Sequence, residues 1–472
     1  MEEVTGMDRD RQLALAIAQE VDKAGGTAYF VGGCVRDTLL GRENKDLDLE
    51  IHGIPVETLE AILDGLGERV AMGASFGVMS LKHTQLDIAM PRSEIATGRG
   101  HKDFAVSVDP FLGEERAASR RDFTVNALMQ NVLTGRILDF FGGRADLERG
   151  VIRHVNDASF GEDPLRVFRA AQFAARFDFT VAPETLALCS GMAVDALAGE
   201  RVLGELEKAL LKAKRPSVFF EVLRQMGQLS VWFREAEALI GVPQNPAHHP
   251  EGNVWIHTMQ VLDEAALLRE QSAMPMGLLL AALCHDFGKP AVTAHVRGSL
   301  HAYGHEQAGV PIAERFLQRM TQSQKLHAYV QDMTLLHMEP NKLAAEGAKS
   351  RSFMRLFDRS VCPEDLLLLA RADFLGRKCG AEEEAALERA YVPIEGTLRE
   401  MLALYRERMR LPTVTGRDLI EAGCRPGEDF GEALAYAHKL RLAGIPLEEQ
   451  RKQTLGYLSA LRKKTEKRNR GS

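Results

Sequence analysis

Asp46 and Asp48, one residue apart in Lys45-Asp46-Leu47-Asp48-Leu49, are an acidic pair whose type and spacing suit chemistry. The alternation reads as a strand, so both carboxylates project from one face while Leu47 and Leu49 project from the other. Side by side they repel unless a cation lies between them. That is an arrangement for holding Mg²⁺ on a triphosphate and lowering the pKa of an attacking hydroxyl. Asp87, between Leu86 and Ile88, is expected either as a third carboxylate at the same place or as a plain edge-strand aspartate. Upstream, the apolar run Ala28–Val31 breaks at Gly32-Gly33 and gives way to a helical pattern with Val35, Leu39 and Leu40 on one side. Glycines there let backbone N–H groups approach a phosphate at the helix opening, and Arg36 adds charge one turn in. Each piece alone is common, and D-x-D on an exposed strand is often merely solvated. Their order is what is specific.

Three further constellations follow. In a helical register Asp122 and Asn126 share a face and can grip two ribose hydroxyls, while Arg121 reaches phosphate or base. The plainer alternative is an exposed helix start capped by Asp122. Asp163-Pro164 reads as an N-cap followed by proline, with Leu165, Phe168 and Gln172 or Ala175 tracing a helical stripe. Arg166 and Arg169 lie one turn apart on it, as surface charges or as nucleotide-binding groups. A carboxylate that accepts beside a guanidinium that donates fits an edge offering an amino donor next to a ring-nitrogen acceptor. Cytosine and adenine present that order, whereas uracil and guanine reverse it, at about 1–3 kcal/mol for each unsatisfied group. In the second half, His257, His285, Asp286 and Asp373 occur in the order H…HD…D, with His301, His305 and His337 between. Isolated histidines on apolar helices are usually core residues, but imidazoles with carboxylates also suit a divalent transition metal that activates water against a phosphoester.

The elements that must position these groups fit several domains. At 472 residues the chain is long enough for roughly three or four. Helical patterns over Arg9–Ala24 and Val56–Leu66 and short alternating strands through Val70, Val78–Leu81 and Leu86–Ile88 describe an α+β head with a small mixed sheet. Pro91 to Arg121 loses regularity and reads as a long loop, with Lys102 and Asp103 as candidate functional residues. Glu200–Arg224 continues helically, and Arg201, Lys208, Lys212, Lys214 and Arg215 give it a basic surface suited to RNA or simply solvated. The expected division is 1–145 head, 146–240 helical neck, 241–395 metal domain and 396–472 C-terminal helical segment, ending in the basic tail RKKTEKRNR. A composition of 45% hydrophobic and 26% charged residues is that of an ordinary globular protein, and a net charge of −7 leaves RNA contact to local basic patches. No apolar run is long enough to span a membrane, the acidic start is unlike a signal peptide, and the six scattered cysteines fit reduced thiols, so the cytoplasm is expected.

GGCVRDTLLG followed by KDLDLE resembles the nucleotidyltransferase head of the class II tRNA nucleotidyltransferases (CCA-adding enzymes) and the related bacterial poly(A) polymerases, a polymerase-beta-like fold. RRDFTVNAL is similar to that family's second motif, and Gly142–Leu147 with Gly150–Arg153 to its hinge motif. EDPLR resembles its E-D-x-x-R motif, whose Asp and Arg read the incoming base; that implies these roles for Asp163 and Arg166. The H…HD…D order resembles the HD-superfamily metal phosphohydrolases. The resemblance implies template-free addition of CCA to tRNA 3′ ends from CTP and ATP. Mg²⁺ would sit at Asp46 and Asp48, and a divalent transition metal in a competent HD site with phosphatase or phosphodiesterase activity. It also implies tRNA, through its acceptor stem and 3′ end, as the partner. A mobile loop in the family helps accept the final adenosine, so the length of 91–121 leans toward full CCA addition. A-only, CC-only or poly(A) addition remain open, as does an HD phosphohydrolase acting on RNA ends or nucleotides as the main activity.

Overall fold

The computed structural model describes residues 6–42, 47–71, 78–96 and 104–470. Asp46, Lys102 and Asp103 lie outside them. The described residues form two compact units, Met1–Trp232 and Phe233–Ser472. The expected head and most of the neck fall in the first, and the HD and C-terminal segments in the second. One helix, Ala381–Arg410, runs through position 395.

Seven strands of the first unit make one mixed sheet. They are β1 (Thr27–Val31), β2 (Leu47–His52), β3 (Arg69–Ala71), β4 (Val78–Leu81), β5 (Leu86–Ala89) and, beyond a separate hairpin of β6 (Arg92–Ala96) with β7 (Phe104–Val108), β8 (Met129–Asn131) and β9 (Ile137–Leu138). Their order is β3-β4-β5-β2-β1-β8-β9. β2 and β5 run parallel, with Asp48 opposite Asp87 and Glu50 opposite Ala89, while β1 and β2 are antiparallel. Strict alternation in β2 buries Leu47, Leu49 and Ile51 against Ile17 and Val21 of the helix Gly6–Lys23 and Leu59 and Leu63 of the helix Val56–Leu66. Each such side chain contributes about 1.5–3 kcal/mol by leaving water. The same alternation turns Asp48 and Glu50 to the opposite face.

Three local expectations are corrected, the third of them in the helices beyond the sheet. Residues 91–121 are not wholly irregular, since they contain the β6–β7 hairpin, paired from Arg92–Val108 to Ala96–Phe104, and a short helix Glu114–Ala118. The segment around Asp122 is not an α-helix. Thr124 N donates to Arg153 O, Val155 N donates to Asp122 O, and Phe123 pairs with His154, leaving only a 3₁₀ turn at Thr124–Asn126. A backbone hydrogen-bonded to another segment cannot also form the i→i−4 ladder.

Beyond the sheet, the helix Leu165–Phe177 packs on Gly199–Lys212 and Ser217–Gln225, with Phe168, Phe219 and Phe220 fully buried. The expected continuous helix over 200–224 is interrupted at Pro216, which lacks the N–H a helix interior needs. In the second unit the helices Val254–Leu268, Pro275–Cys284, His305–Gln318, Gln324–Leu336 and Pro363–Leu375 pack together. A C-terminal group follows, in which Val414, Leu419, Ala433, Ala437 and Leu458 form a small core. Thr415 opens it with a reciprocal cap, its hydroxyl accepting from Asp418 N while the Asp418 carboxylate accepts from Thr415 N. All six cysteines are unpaired. Among the described residues no helix is long and apolar enough to cross a membrane.

Candidate active sites

A cavity of about 750 Å³ in the first unit gathers most of the residues singled out in its sequence. Gly32 ends β1 with φ +67, in the left-handed region, and a Cβ there would meet Arg121 Nη1 at 3.1 Å and Asp48 Oδ2 at 3.7 Å. Glycine is therefore favoured by its backbone, and a side chain there would also have to push the Arg121 guanidinium aside by a few tenths of an ångström. Asp48 thus faces Gly32 from the open side of the sheet. Asp87 projects from that same side, in register with Asp48, but it is exposed and stands outside the cavity lining, whereas Ala89 lies within it. Glu50, two residues beyond Asp48, is buried, with Oε2 3.0 Å from Arg121 Nη2 and Oε1 2.9 Å from His52 Nε2. Burial alone would raise its carboxyl, but His52 and Arg121 hold it below the usual range.

The helix after Gly32 is short, Gly33–Leu39, and Arg36 on it does not reach outward. Its guanidinium donates to Asp37 Oδ1 at 2.8 Å and to Asn126 Oδ1 at 2.6 Å, and lies 4.5 Å from the Phe177 ring centroid. Asn126 in turn donates to Asp122 Oδ1 at 2.9 Å, and Arg169 donates to Asp122 Oδ2 at 2.8 and 2.5 Å. Asp122 is buried, and Arg169 and Asn126 hold its pKa down against the burial that would raise it. The residues of the expected ribose grip thus also bond one another, in a network at the cavity lining that ties the helix Gly33–Leu39 to the helix Leu165–Phe177.

Asp163 and Arg166 both line the cavity, each fixed by different partners. Asp163, one residue before the N-cap Pro164, accepts from Leu165 N through Oδ1 at 3.1 Å, and its two oxygens lie 3.3 and 3.2 Å from Arg201 Nη2. Arg166 donates to Ser159 O at 2.6 Å and Arg120 O at 3.1 Å. The sequence places Arg201 on a basic surface of the neck. It belongs to this cavity, as does Lys212, while Lys208 pairs with Glu205 at 2.8 Å.

The second unit assembles its own site. His257 Nε2 lies 3.0 Å from Asp373 Oδ1 and 3.9 Å from Asp286 Oδ2, and His285 Nε2 lies 3.2 Å from Asp286 Oδ2. His305 Nε2 lies 3.3 Å from both Asp286 Oδ1 and His337 Nε2. The four expected residues thus converge, and His305 and His337 join them. The ligand atoms fall into two groups, His257–His285–Asp373 and Asp286–His305–His337, each within 4.8 Å. His301, at the end of the strand Ser299–His301, lines the adjoining cavity but joins neither group.

These residues fit a divalent cation on several grounds. All six are buried, His285 Nε2 and Asp286 Oδ1 have no hydrogen-bond partner, and such orphans are costly without a cation. Every imidazole also turns Nε2 inward by engaging Nδ1 elsewhere. His285 bonds Ala282 O at 2.7 Å, His305 bonds Ala302 O at 2.8 Å, His337 bonds Thr334 O at 2.8 Å, and His257 Nδ1 lies 2.8 Å from Glu251 Oε1. Burial, with His285 and His305 nearby, pushes His337 down to about 3, leaving it neutral and able to donate a lone pair. Glu251 also accepts from His249 Nδ1 at 2.9 Å. Neither residue was singled out by sequence, although the cluster His248-His249-Pro250-Glu251 directly before the His257 helix was a signal available there.

A mixed-sheet head with acidic strand residues facing a capped, arginine-bearing helix is the arrangement of a nucleotidyltransferase, here followed by a histidine–aspartate metal domain. Residues 28–153 match the poly A polymerase head domain, and residues 254–375 match the HD domain. The chain is 39% identical over 414 residues to the multifunctional CCA protein of Nitrosococcus oceani, covering 86% of this chain and 95% of that protein. It is 35% identical over 429 residues to that of Alkalilimnicola ehrlichii, covering 88% and 97%. The chain belongs to the multifunctional CCA protein family. Its fold is also that of solved CCA-adding enzymes. It aligns with a Thermotoga maritima enzyme complexed with tRNA at a TM-score of 0.61 and 21% identity, covering 95% of each chain. A CCA-adding enzyme with ATP gives 0.64 and 20%, covering 97% of each.

Proposed function

We propose that this chain adds CCA to tRNA 3′ ends from CTP and ATP without a nucleic-acid template, and that its HD unit hydrolyses phosphoesters. The observation that carries the first reading is the shared cavity: Gly32 and Asp48 on the sheet side, Asp163 and Arg166 on the helix side. The multifunctional CCA proteins it matches and the solved relatives complexed with tRNA, ATP and CTP support the substrates. Asp48, with Asp46 as its expected companion, would hold Mg²⁺, which when bound neutralises the triphosphate. The tRNA 3′-hydroxyl gives up its proton beside Asp48, its oxygen bonds the α-phosphorus of CTP or ATP, and pyrophosphate leaves. Asp163 accepts from the base amino group and Arg166 donates to the neighbouring ring nitrogen, a pairing that admits C and A and mismatches U and G. Arg121, held by Glu50 beside Gly32, faces the phosphates, and Gly33, Arg36, Asp122, Asn126 and Arg169, which line the same cavity, complete the nucleotide-binding set. Asp87, in register with Asp48 on the neighbouring strand, is the third catalytic carboxylate of this reading. The chain works in the cytoplasm and divides into head (1–145), neck (146–240), HD domain (241–395) and C-terminal segment (396–472).

Nucleotide incorporation on tRNA ending before its CCA, with each NTP offered separately, tests this. CTP followed by ATP should extend the product by three nucleotides, while UTP and GTP should fail. Extension by A alone, by CC alone or by a long A tail would replace the reading with the corresponding relative. In the second unit, His257, His285, Asp286, His305, His337 and Asp373 would hold a divalent transition metal, which when bound supplies Lewis-acid polarisation of a phosphoester. Lys289, 2.7 Å from Asp286 Oδ2, supplies positive charge beside the scissile group. Release of phosphate, or opening of a 2′,3′-cyclic end without NTP, tests that half.

A further inference from the structure

Arg201 has no task in the transfer described above, yet its guanidinium lies on the carboxylate that reads the base. Nη2 stands 3.3 Å from Asp163 Oδ1 and 3.2 Å from Oδ2, and both side chains line the same cavity. The position is an unfavourable one for a cation. Arg201 is in the first turn of the helix Gly199–Lys212, where the unpaired N–H groups and the helix dipole favour negative charge. Solvent also reaches the pair, with 45% of the Arg201 side chain and 35% of the Asp163 side chain exposed, so the contact adds little to stability. What it supplies is orientation. A carboxylate at a helix start turns about two bonds, and here two donors stop it, Leu165 N on Oδ1 and Arg201 on both oxygens. Oδ2, whose one partner among the described residues is Arg201, keeps the larger share of open lone pairs for a base. The helices are held in register behind this contact. One turn on from Arg201, the buried Glu205 has Oε1 3.9 Å from Arg169 Nη1. The helix Gly199–Lys212 therefore meets the segment 163–169 with a cation on Asp163 and an anion on Arg169, two pairs of opposite polarity that oppose sliding of one element past the other.

We propose that Arg201 is a specificity-determining positioning residue, which holds the Asp163 carboxylate in the orientation that accepts from the amino group of cytosine or adenine. The proposal rests on the base-reading role given to Asp163 above. Losing Arg201 costs only the bases that use the carboxylate, because uracil and guanine present a carbonyl oxygen at that place and gain nothing from its alignment. The full-length protein is assayed for kcat/KM with CTP against UTP on tRNA ending before its CCA, and with ATP against GTP on tRNA ending in CC. Arg201→Ala should lower both ratios on the order of tenfold, through the CTP and ATP values and with an unchanged melting temperature. Arg201→Lys, whose ammonium can still meet both oxygens, should recover most of the loss. In the Asp163→Ala protein, whose ratios have already fallen, adding Arg201→Ala should change nothing more. A higher KM for tRNA with both ratios unchanged puts Arg201 on an RNA-contacting surface and overturns the proposal. So does an equal further fall in the Asp163→Ala background, since Arg201 would then act through some other group. If Asp163→Ala keeps the wild-type ratios, the base-reading role itself has failed, and the positioning role falls with it.

Discussion

His257 differs from the other imidazoles of its cluster in what holds its outer nitrogen, a carboxylate instead of a carbonyl one turn back. An anion there makes the ring a stronger donor and fixes its tautomer. Glu251→Ala should therefore lower divalent-metal affinity about 10- to 100-fold, read by competition with a chromophoric chelator, while Glu251→Gln, which still accepts, should recover part of it. Equal affinities across the three proteins would remove Glu251 from the site. In the head, Asp163→Ala leaves Arg201 without its partner and deletes the acceptor for the base amino group. The expected result is a loss of CTP/ATP preference over UTP/GTP with pyrophosphate release surviving, checked by single-NTP incorporation. Unchanged selectivity would refute base reading at this position. At this scale the sequence exposed the residues with a motif spacing, Asp48, Asp163, Arg166, His257, His285, Asp286 and Asp373. It hid those whose role depends on a partner far along the chain. Arg201 meets Asp163 across 38 residues and Glu50 meets Arg121 across 71, distances over which no periodicity carries information.

Between elements, close approach of backbones decides whether the residues converge. Gly288, just before the short helix Lys289–Val292, lies against the first turn of His305–Gln318, where a Cβ would clash with His305 O and stand 2.6 Å from Gly309 N. Gly288→Ala must push that helix away and carry His305 off Asp286. Overpacking of this kind costs about 1–3 kcal/mol. The expected outcome is a lower melting temperature for the second unit with loss of metal binding, followed by calorimetry, while CCA addition continues. Normal metal affinity in the variant would show that the helix spacing has slack. On the other unit, Phe168 sits at 0% exposure in the helix that carries Arg166 and Arg169, so Phe168→Ala should cost about 3–5 kcal/mol and loosen both arginines. Elements with a strong period, such as the helix Leu165–Phe177 and strand β2, could be read from sequence. The 3₁₀ turn at Thr124–Asn126 could not, because its conformation is imposed by pairing with residues 153–155. The hairpin within 91–121 was missed for a related reason, its short strands being specified by each other.

For the molecule as a whole, two sites of different donor chemistry lie in different units, and that difference is testable without any substitution. The head offers carboxylate oxygens, a set that suits Mg²⁺ and exchanges it readily. The HD cluster offers four imidazole nitrogens with two carboxylates, a set that favours divalent transition metals and retains them. Stripping the protein with a strong chelator, removing the chelator and adding back only Mg²⁺ should restore CCA addition fully and leave phosphoester hydrolysis at background. Adding Mn²⁺, Co²⁺ or Ni²⁺ afterwards should bring hydrolysis back. Substitutions should divide in the same way: Asp48→Asn abolishing incorporation alone, Asp286→Asn abolishing hydrolysis alone, and the double variant losing both with stability effects that add, since the two residues lie in different compact units. Recovery of hydrolysis with Mg²⁺ alone would contradict the ligand chemistry assigned to the cluster. Loss of incorporation in Asp286→Asn, in a protein that still melts as the wild type does, would mean that the two activities draw on a common site.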